Sequence, residues 1–334
     1  MVITLIYKLG GAFLVSIAVT TAVGFFLIPM LRRVKAGQSI REDGPTWHNV
    51  KQGTPTMGGI MFIVGIAAAC LTVGFGEMRK GEFSHIFVFL FAFIYAVIGF
   101  FDDYEKVTKK RNLGLSAKKK FLLHLVVAII LLLLMRLTGN LSANLYIPFV
   151  NVTVAIPEPV YYIFAALVTV GTVNAVNITD GADGLATGVS IPISACYIFI
   201  AFLWGYTALG IFAAALLGGL AAFLFFNFHP AKVFMGDTGA HFIGGAVCAL
   251  AFIMNMPLIL VPLGIVYIVE TLSDIIQVIY FRLSHGRRVF KMAPLHHHFE
   301  MCGWSEYKLF TVFTIISALF AALSYYGVYF RYNR

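Results

Sequence analysis

Long apolar runs separated by short polar segments dominate this chain of 334 residues. Ten of the runs approach the roughly 17–25 apolar residues with which a helix crosses the hydrocarbon of a bilayer. Because backbone groups in lipid must be satisfied within their own segment, each run is expected to be a helix. The pattern predicts an all-α, polytopic membrane protein with ten transmembrane helices, at about 11–31, 56–75, 83–101, 121–138, 159–176, 185–204, 207–226, 240–256, 257–281 and 309–330.

The ninth run, PLILVPLGIVYIVETLSDIIQVIYF, is longer than a bilayer requires and carries Pro262, Glu270 and Asp274. Charged side chains facing lipid are costly, and sharp kinks in helices occur at prolines and similar interruptions. We therefore predict a break or strong bend near Pro262–Glu270, which would open a groove at the side of the protein.

Three further features limit the organisation of the chain. The first run follows Lys8 and has ordinary spanning length, so it is expected to be a span and not a cleavable signal. The four cysteines form no CxxC pair and three lie inside predicted spans, which indicates neither a disulfide framework nor a cysteine metal site. No internal repeat is visible, so residues 1–334 are expected to form a single integral membrane domain.

The distribution of the charged residues along the chain indicates the topology. The chain is 60% hydrophobic and 12% charged, and its formal net charge of +9 could indicate a nucleic-acid partner. With ten spans, however, 18 of the 24 lysines and arginines fall on one side. The positive-inside rule places that side in the cytoplasm and both termini outside the cytoplasm. The basicity therefore reflects topology, and no nucleic-acid partner is expected.

Acidic, amide and histidine side chains concentrate in four loops on the same predicted cytoplasmic face. These loops follow spans three, five, seven and nine, and are far apart in the sequence. Their candidate residues are Asp102 and Asp103 in GFFDDYEK, Asn177, Asp180 and Asp183 in NAVNITDGADGLATG, Asp237 in FMGDTGA, and His296, His297 and His298 in PLHHHFE.

The Asp102–Asp103 pair is expected at the C-terminal end of the third helix, where the helix dipole disfavours each acid by about 0.3–1 kcal/mol. A nearby cation should offset this unfavourable interaction with the helix dipole. Lys106 and the run AKKK lie nearby, but a divalent cation would do more. Mg²⁺ is usually held by one or two carboxylates together with substrate phosphates. Acids beside lysines at a membrane surface therefore suggest a polyphosphate substrate bridged by Mg²⁺.

Each motif also has a purely structural explanation. The aspartate pair could lie in a solvated loop, the NITDGADG segment could be a polar turn, and Asp237 could be a helix N-cap. The lysine run could simply attract anionic lipids. Consecutive histidines cannot share one helical face, so a three-histidine zinc site is not expected. The shared face, with Glu270 and Asp274 inside the ninth span, favours a functional site.

Taken together, the motifs resemble the phospho-N-acetylmuramoyl-pentapeptide transferase family, also called translocase I. The resemblance covers nearly the whole chain, and PLHHHFE is its most specific piece. Related polyprenyl-phosphate N-acetylhexosamine-1-phosphate transferases share the acidic motifs but differ in that last loop. The matching segments, in the family's order, are KQGTPTMGG (51–59), GFFDDYEK (99–106), GLSAKKK (114–120), NAVNITDGADGLATG, FNFHPAKVFMGDTGA (226–240) and KMAPLHHHFE (291–300).

The resemblance implies an enzyme of peptidoglycan synthesis. It would transfer phospho-MurNAc-pentapeptide from UDP-MurNAc-pentapeptide to undecaprenyl phosphate, giving lipid I and UMP with Mg²⁺ as cofactor. It also implies a multi-pass homodimer in the bacterial inner (cytoplasmic) membrane. The groove predicted at the ninth span would then let the polyprenyl chain approach from the side.

The resemblance further assigns roles to individual residues. Asp237 becomes the ligand of one Mg²⁺ that faces the Asp102–Asp103 pair. We predict that Asp102 is the general base that deprotonates the lipid phosphate for direct in-line attack, since phosphoryl transfer needs little covalent chemistry from the protein. The implied catalytic residues are Asp102, Asp103, Asp237, His296, His297 and His298.

Substrate binding is implied in the loops and in the lysine run. Phe234 would stack on uracil in a nucleotide pocket, and the histidines would lie by the pyrophosphate and sugar. The lysines of AKKK are hard to align one by one, so which of them contacts substrate stays open. The implied substrate-binding residues are Lys51, Thr56, Lys106, Lys118, Lys120, Asn177, Asp180, Asp183, Asn227 and Phe234.

Two other functions stay open. An enzyme of the related N-acetylhexosamine-1-phosphate branch would differ in the sugar nucleotide that it turns over. An ion-coupled transporter would place polar groups near the bilayer midplane in paired halves, whereas here the acids cluster at one interface. Uptake without release of UMP would favour the transporter.

Overall fold

The structure is a computed structural model that describes residues 2–34, 51–109 and 114–332. It is mostly helical, with one small antiparallel hairpin. The helices are α1 (Val2–Arg33), α2 (Gly59–Thr72), α3 (Phe75–Met78), α4 (Ser84–Lys109), α5 (Ala117–Leu137), α6 (Glu158–Thr179), α7 (Leu185–Trp204), α8 (Thr207–Asn227), α9 (Gly236–Ile253), α10 (Leu260–Leu263), α11 (Ile265–Leu283), α12 (Leu295–Glu300) and α13 (Glu306–Tyr332); the strands are β1 (Asn144–Ile147) and β2 (Val152–Ala155).

Eight of the described helices are long and apolar enough to cross a membrane, namely α1, α4 to α9 and α13. The chain is therefore a multi-pass membrane protein, and its predicted spans coincide with helices. The second predicted span is shorter than expected, because α2 has only 14 residues, about 21 Å at 1.5 Å per residue. Met57 has a φ of 69°, in the left-handed region, so the helix begins only after it, at Gly59.

The ninth predicted span is broken, as the sequence indicated. The segment Pro257–Leu263 and helix α11 meet at an angle of 78° across Gly264. Pro262 lies in the last turn before the break. The expected bend near Pro262–Glu270 is therefore confirmed. Beyond the break, Glu270 is fully buried, whereas Asp274 is half-buried.

The hairpin is the part of the fold that a strictly all-α prediction missed. Strand β1 pairs with β2 from Asn144 opposite Ala155 to Ile147 opposite Val152. The segment between the fourth and fifth predicted spans carries alternating β-branched residues, which favour strands. It is short and mostly exposed, so it adds a small surface feature to a helical bundle.

Helix α9 lies at the centre of the bundle, with every residue from Asp237 to Ile253 buried. It packs on α4, α6 and α2. The backbones approach closely because glycines line the contacts, as is common between membrane helices. A Cβ atom at Gly99 of α4 would lie 2.2 Å from the carbonyl oxygen of Asp237, and one at Gly59 of α2 would lie 2.3 Å from the Cα of Gly239. These contacts bring the acidic ends of α4 and α9 together.

Candidate active site

Three aspartates from two helices meet at one end of the bundle. Asp102 and Asp103 lie on α4 and Asp237 lies in the first turn of α9. One carboxylate oxygen from each residue lies within 4.8 Å of those of the other two. All three residues are buried, with exposed fractions of 2%, 2% and 8%. The structure thus brings together the acids that the sequence placed in two separate loops.

Asp103 caps helix α9. Its carboxylate accepts the backbone N–H of Asp237 at 3.1 Å, the backbone N–H of Thr238 at 2.9 Å and the Thr238 hydroxyl at 2.7 Å. Helix N-termini carry unsatisfied N–H groups and a positive end of the dipole, so a carboxylate is stabilised there. Gly236 has a φ of 69° and leaves room for Asp103, because a Cβ would lie 2.5 Å from Asp103 Oδ2.

This geometry corrects the expected position of the aspartate pair. Helix α4 continues to Lys109, so the pair lies about two turns before its C-terminal end and not at that end. The pair therefore does not lie at the C-terminal end of α4, where the helix dipole would disfavour it. The favourable N-terminus of α9 holds Asp103, and its neighbour is held by different groups.

Asp102 is held by a lysine and a backbone amide. Lys106 Nζ lies 2.6 Å from Asp102 Oδ2, and the backbone N–H of Leu115 donates to Asp102 Oδ1 at 2.8 Å. The second bond connects the end of α4 to the segment that begins α5. Asp102 thus keeps fewer hydrogen bonds to the bundle than Asp103 does.

Asp237 is bound by side chains and does not cap its own helix, which overturns the N-cap explanation for this residue. Lys120 and Lys106 place their Nζ atoms 2.6 Å and 3.0 Å from Asp237 Oδ2. Asn177 donates its amide N–H to Asp237 Oδ1 at 2.9 Å. Asp237 is therefore the point where α4, α5, α6 and α9 meet.

The structure distinguishes the lysines of the AKKK run. Lys120 is half-buried and bonds to Asp237, and its Nζ also lies 3.4 Å from Asn177 Oδ1. Lys118 and Lys119 are exposed. Residues 118 and 120 differ by about 200° around the helix axis, so only one of them can face the acids.

A second polar cluster joins four separate segments. Lys51 Nζ lies 2.8 Å from Asp183 Oδ1 and 2.6 Å from Glu306 Oε2. Asp183 Oδ2 also lies 2.8 Å from His229 Nδ1 and accepts the backbone N–H of Ala231 at 3.0 Å. The cluster ties the segment before α2, the turn before α7, the turn before α9 and the start of α13.

Charge pairing sets the protonation of this second cluster. Burial alone would lower the pKa of Lys51, but the carboxylates of Asp183 and Glu306 outweigh it and raise that pKa above its ordinary value. Burial alone would raise the pKa of Asp183, but Lys51 and hydrogen bonds outweigh it and lower that pKa. Both groups are therefore held in their charged forms.

Asp180 is affected by charges of both clusters, and its pKa shifts in the opposite direction to that of Asp183. Burial, and then the negative charges of Asp237, Asp103 and Asp183, raise its pKa well above the ordinary value. Asp180 directly follows helix α6, three positions after Asn177. A cation bound nearby would favour the anionic form of such an acid and lower its pKa.

The three histidines contact different partners, in keeping with the expectation that consecutive histidines do not share one helical face. His296 is buried, and its Nδ1 lies 2.7 Å from Glu270 Oε2. His297 Nδ1 lies 2.7 Å from Glu300 Oε2, whereas His298 Nδ1 accepts the backbone N–H of Lys291 at 3.1 Å. His296 reaches the turn between α6 and α7, where a Cβ at Gly181 would lie 2.1 Å from its Nε2.

Comparison with known proteins identifies the family. A family model described as Glycosyl transferase family 4 matches residues 85–255, and the Phospho-N-acetylmuramoyl-pentapeptide-transferase signature 1 matches residues 51–63. The phospho-N-acetylmuramoyl-pentapeptide-transferase of Caldanaerobacter subterraneus subsp. tengcongensis is 44% identical over 97% of this chain and 100% of its own length. Those of Staphylococcus aureus (strain MSSA476) and Clostridium acetobutylicum are 44% and 42% identical, over 92% and 96% of this chain and 95% and 98% of their own lengths.

The chain belongs to the phospho-N-acetylmuramoyl-pentapeptide transferase family. It is therefore an enzyme, a glycosyl-1-phosphate transferase. The matched residues 85–255 include all three aspartates, and the signature at 51–63 covers the segment of Lys51 and Thr56. The resemblance drawn from the motifs is confirmed.

Two more of the residues implied by the phospho-N-acetylmuramoyl-pentapeptide transferase motifs shape the turn before α9. Phe234 is half-buried, its backbone N–H donates to the carbonyl of Pro55 at 2.8 Å, and its carbonyl accepts the N–H of Gly58 at 2.8 Å. Thr56 is buried within the same segment, and a Cβ at Gly236 would lie 2.6 Å from its hydroxyl. Backbone hydrogen bonds thus join the segment 55–58 to the turn before α9, next to the acids.

Asn227 stabilises the other end of that turn. Its side-chain amide donates to the carbonyl of Val233 at 3.0 Å, and its Oδ1 accepts the Thr187 hydroxyl at 2.9 Å. The residue is 1% exposed, so both ends of the amide are used within the protein. A contact between Asn227 and a nucleotide stays a prediction.

Sequence reasoning missed two residues of the site region and the partner of a third. Glu306 and His229 complete the cluster around Asp183, and Glu270 was singled out without a partner. His229 lies within the quoted motif FNFHPAK, so its position could have been noticed. Glu306 gives no such signal, because it is 123 residues from Asp183, whose backbone N–H it accepts at 3.0 Å.

Proposed function

We propose that the chain transfers phospho-MurNAc-pentapeptide from UDP-MurNAc-pentapeptide to undecaprenyl phosphate, giving lipid I and UMP in a Mg²⁺-dependent reaction. The observation that carries the proposal is the meeting of Asp102, Asp103 and Asp237 with Lys106 and Lys120 at one end of a membrane bundle. Three carboxylates and two ammonium groups suit a site where two anionic substrates meet a divalent cation. The names and identity of the relatives support the transfer of a phospho-N-acetylmuramoyl-pentapeptide group.

The acid cluster fits Mg²⁺. Carboxylate oxygens are the ligands that Mg²⁺ uses in proteins, together with water and substrate phosphates. Asp237 is the proposed ligand, and Asp102 and Asp103 face it. When bound, the ion supplies positive charge to the phosphates of the nucleotide substrate.

Asp102 is the proposed general base. Asp103 already accepts three hydrogen bonds from α9, whereas Asp102 accepts one backbone N–H and pairs with Lys106. The second pKa of a phosphate monoester is near 6, so a carboxylate can take that proton. A phosphate oxygen of the lipid then forms a P–O bond to the sugar-bearing phosphorus, the pyrophosphate P–O bond to UMP breaks, and the proton resides on Asp102.

The second cluster is proposed to bind the nucleotide. Uracil would stack on the ring of Phe234, a half-buried residue. Charged and amide groups would bind the phosphates and ribose, and the histidines of α12 would contact the pyrophosphate and sugar. The proposed substrate-binding residues are Lys51, Thr56, Lys106, Lys118, Lys120, Asn177, Asp180, Asp183, Asn227 and Phe234, with His296, His297 and His298 at the sugar-phosphate end.

The surroundings of the reaction are part of the proposal. The acid cluster would face the cytoplasm in a bacterial inner membrane, with both termini on the other side, and the active unit would be a homodimer of single-domain chains. The bend before α11 would give the polyprenyl chain its lateral approach. The many exposed apolar side chains on α11, among them Leu272, Ile275 and Ile279, support a lipid-facing position there.

UMP release in detergent tests the proposal. The purified protein should release UMP from UDP-MurNAc-pentapeptide only when undecaprenyl phosphate and Mg²⁺ are both present. Turnover of UDP-N-acetylglucosamine in place of the muramoyl nucleotide would instead support the N-acetylhexosamine branch. Ion-driven uptake without UMP release would support a transporter.

A further inference from the structure

A buried carboxylate outside the acid cluster holds one of the histidines. Glu270 lies in the second turn of α11 and is fully buried. Its Oε1 accepts the backbone N–H of His296 at 3.1 Å, and its Oε2 lies 2.7 Å from His296 Nδ1. A carboxylate has only acceptor atoms, so the Nδ1 atom of His296 carries the proton in this contact.

The opposite side of the same imidazole ring is buried without a partner. His296 is 1% exposed, and among the described residues no group hydrogen-bonds to its Nε2 atom. Buried polar atoms in native proteins are normally satisfied, so an unsatisfied one needs an explanation. The ring edge lies against the turn before α7, where a Cβ at Gly181 would lie 2.1 Å from Nε2.

That turn carries groups already placed in the candidate site. Gly181 follows Asp180 and precedes Asp183 by two residues, and Asp183 binds Lys51. A side chain at position 181 would fill the space that the ring edge occupies. The Nε2 atom of His296 therefore faces the turn that carries Asp180 and Asp183, while its Nδ1 atom faces Glu270 of α11.

The break before α11 explains how a glutamate comes to lie here. An acid within an apolar helix is costly unless it faces the interior and is paired. The 78° turn at Gly264 redirects α11, and Glu270 is buried in contact with α12 while Leu272 and Ile275 are exposed. Pairing with two N–H donors then satisfies both of its oxygens.

We propose that Glu270 is a positioning residue that fixes the ring orientation and Nδ1 proton of His296, so that Nε2 is presented to the sugar-phosphate part of the substrate. The substrate contact rests on the proposed function, whereas the orientation of the ring does not. The arrangement resembles the general use of a carboxylate to hold a functional histidine in one tautomer.

Glu270→Gln is the sharpest change. The amide keeps the size of the side chain but replaces one carboxylate oxygen with an NH₂ donor, so the backbone N–H and the Nδ1–H of His296 no longer each face an oxygen of their own. We expect kcat for UMP release to fall by at least about 10-fold, the scale of losses when a histidine's supporting carboxylate is changed. Because orientation matters in the transition state, kcat and kcat/KM should fall together.

Glu77→Gln provides the matched control. Glu77 is also a buried glutamate, 5% exposed, and pairs with Lys8 and Lys80 beyond the far end of α2. Both variants lose a buried charge, so both should lower the melting temperature, but only Glu270→Gln should lower kcat. Wild-type kcat in a folded Glu270→Gln protein would overturn the proposal.

A measurement on the wild-type protein covers the case in which Glu270→Gln does not fold. In protein labelled with ¹⁵N at histidine, with His296→Asn used for assignment, Nδ1 of His296 should be protonated; an unprotonated Nδ1 would overturn the proposal. Gly181→Ala should displace the same ring and lower kcat, less than additively with Glu270→Gln. If wild-type protein releases no UMP, the proposed function fails while the ¹⁵N result still decides the orientation.

Discussion

Asp103 on α4 accepts the backbone N–H of Asp237 on α9 at 3.1 Å. The side chain of one acid thus binds the backbone of the other. The side chain of Asp237 stays free of this contact and lies between Lys106 and Lys120. The carboxylate of Asp103 stabilises a helix start, while that of Asp237 is directed to the cations. The adjacent aspartates 102 and 103 therefore have different tasks, which mutation can separate.

The first prediction is that Asp103→Ala destabilises the protein more than Asp102→Ala does. Loss of Asp103 leaves three donors at the start of α9 without an acceptor, and loss of a helix N-cap costs about 0.5–2 kcal/mol. Thermal melts in detergent should show the larger decrease for Asp103→Ala and an intermediate one for Asp103→Asn. Equal melts for Asp102→Ala and Asp103→Ala would contradict the capping role.

The second prediction concerns Asp237→Asn. UMP release should fall by at least about 100-fold, the scale of losing one electrostatic group of an active site. The melt should change little, because the asparagine still accepts from a lysine and the cap at Asp103 is retained. Activity measured against Mg²⁺ concentration distinguishes a ligand from a scaffold residue. Near-normal turnover at low Mg²⁺ would remove Asp237 as the ligand.

The third prediction separates the lysines of AKKK. Lys120→Met should lower kcat/KM by about 10–100-fold, since a charge-assisted hydrogen bond contributes about 1.5–3 kcal/mol. Lys118→Met makes the same chemical change at an exposed position of the same helix, and it should lower kcat/KM less, because residues 118 and 120 differ by about 200° around the helix axis. Steady-state UMP release at several nucleotide concentrations measures both variants. A larger loss for Lys118→Met would assign the substrate contact to the exposed lysine.

Much of the fold was predictable because lipid leaves the backbone few alternatives. Each apolar run coincides with a helix or helical pair, and Pro262 indicated where the ninth would break. The short α2 was not predictable from hydropathy. Its start depends on the left-handed backbone at Met57, and on the contact of Gly59 with Gly239, which is 180 positions away in the sequence.

The composition of the acid cluster was likewise predictable, but its connections were not. Motifs placed Asp102, Asp103 and Asp237 on one face, yet the cap from Asp103 to α9 depends on where two helices cross. The length of α4 beyond the aspartates also depends on tertiary contacts, because the sequence after Asp103 is polar and resembles a loop. Sequence reasoning therefore found the acids and misassigned the reason for their stability.

The last prediction concerns pH and the Lys51–Asp183 pair. The pKa of Asp183 is lowered in the folded protein, so the pair stabilises the fold above the unfolded value of about 3.9, and this contribution is lost as the pH falls through the lower folded pKa. The pKa of Lys51 is raised, so at the alkaline end the contribution is present below about 10.4 and is lost as the pH rises through the higher folded pKa.

Asp183→Asn tests this direction of the pH dependence of stability. Its melting temperature should lie below that of wild type near neutral pH, and the difference should shrink below about pH 4, because wild-type Asp183 then becomes protonated and loses its pairing with Lys51. The control is Glu158→Gln, which breaks the exposed Arg136–Glu158 pair and should change the melt little at any pH, since exposed pairs contribute about 0–1 kcal/mol. A difference for Asp183→Asn that stays constant from neutral to acid pH would mean that its hydrogen bonds, and not its charge, hold the four segments together.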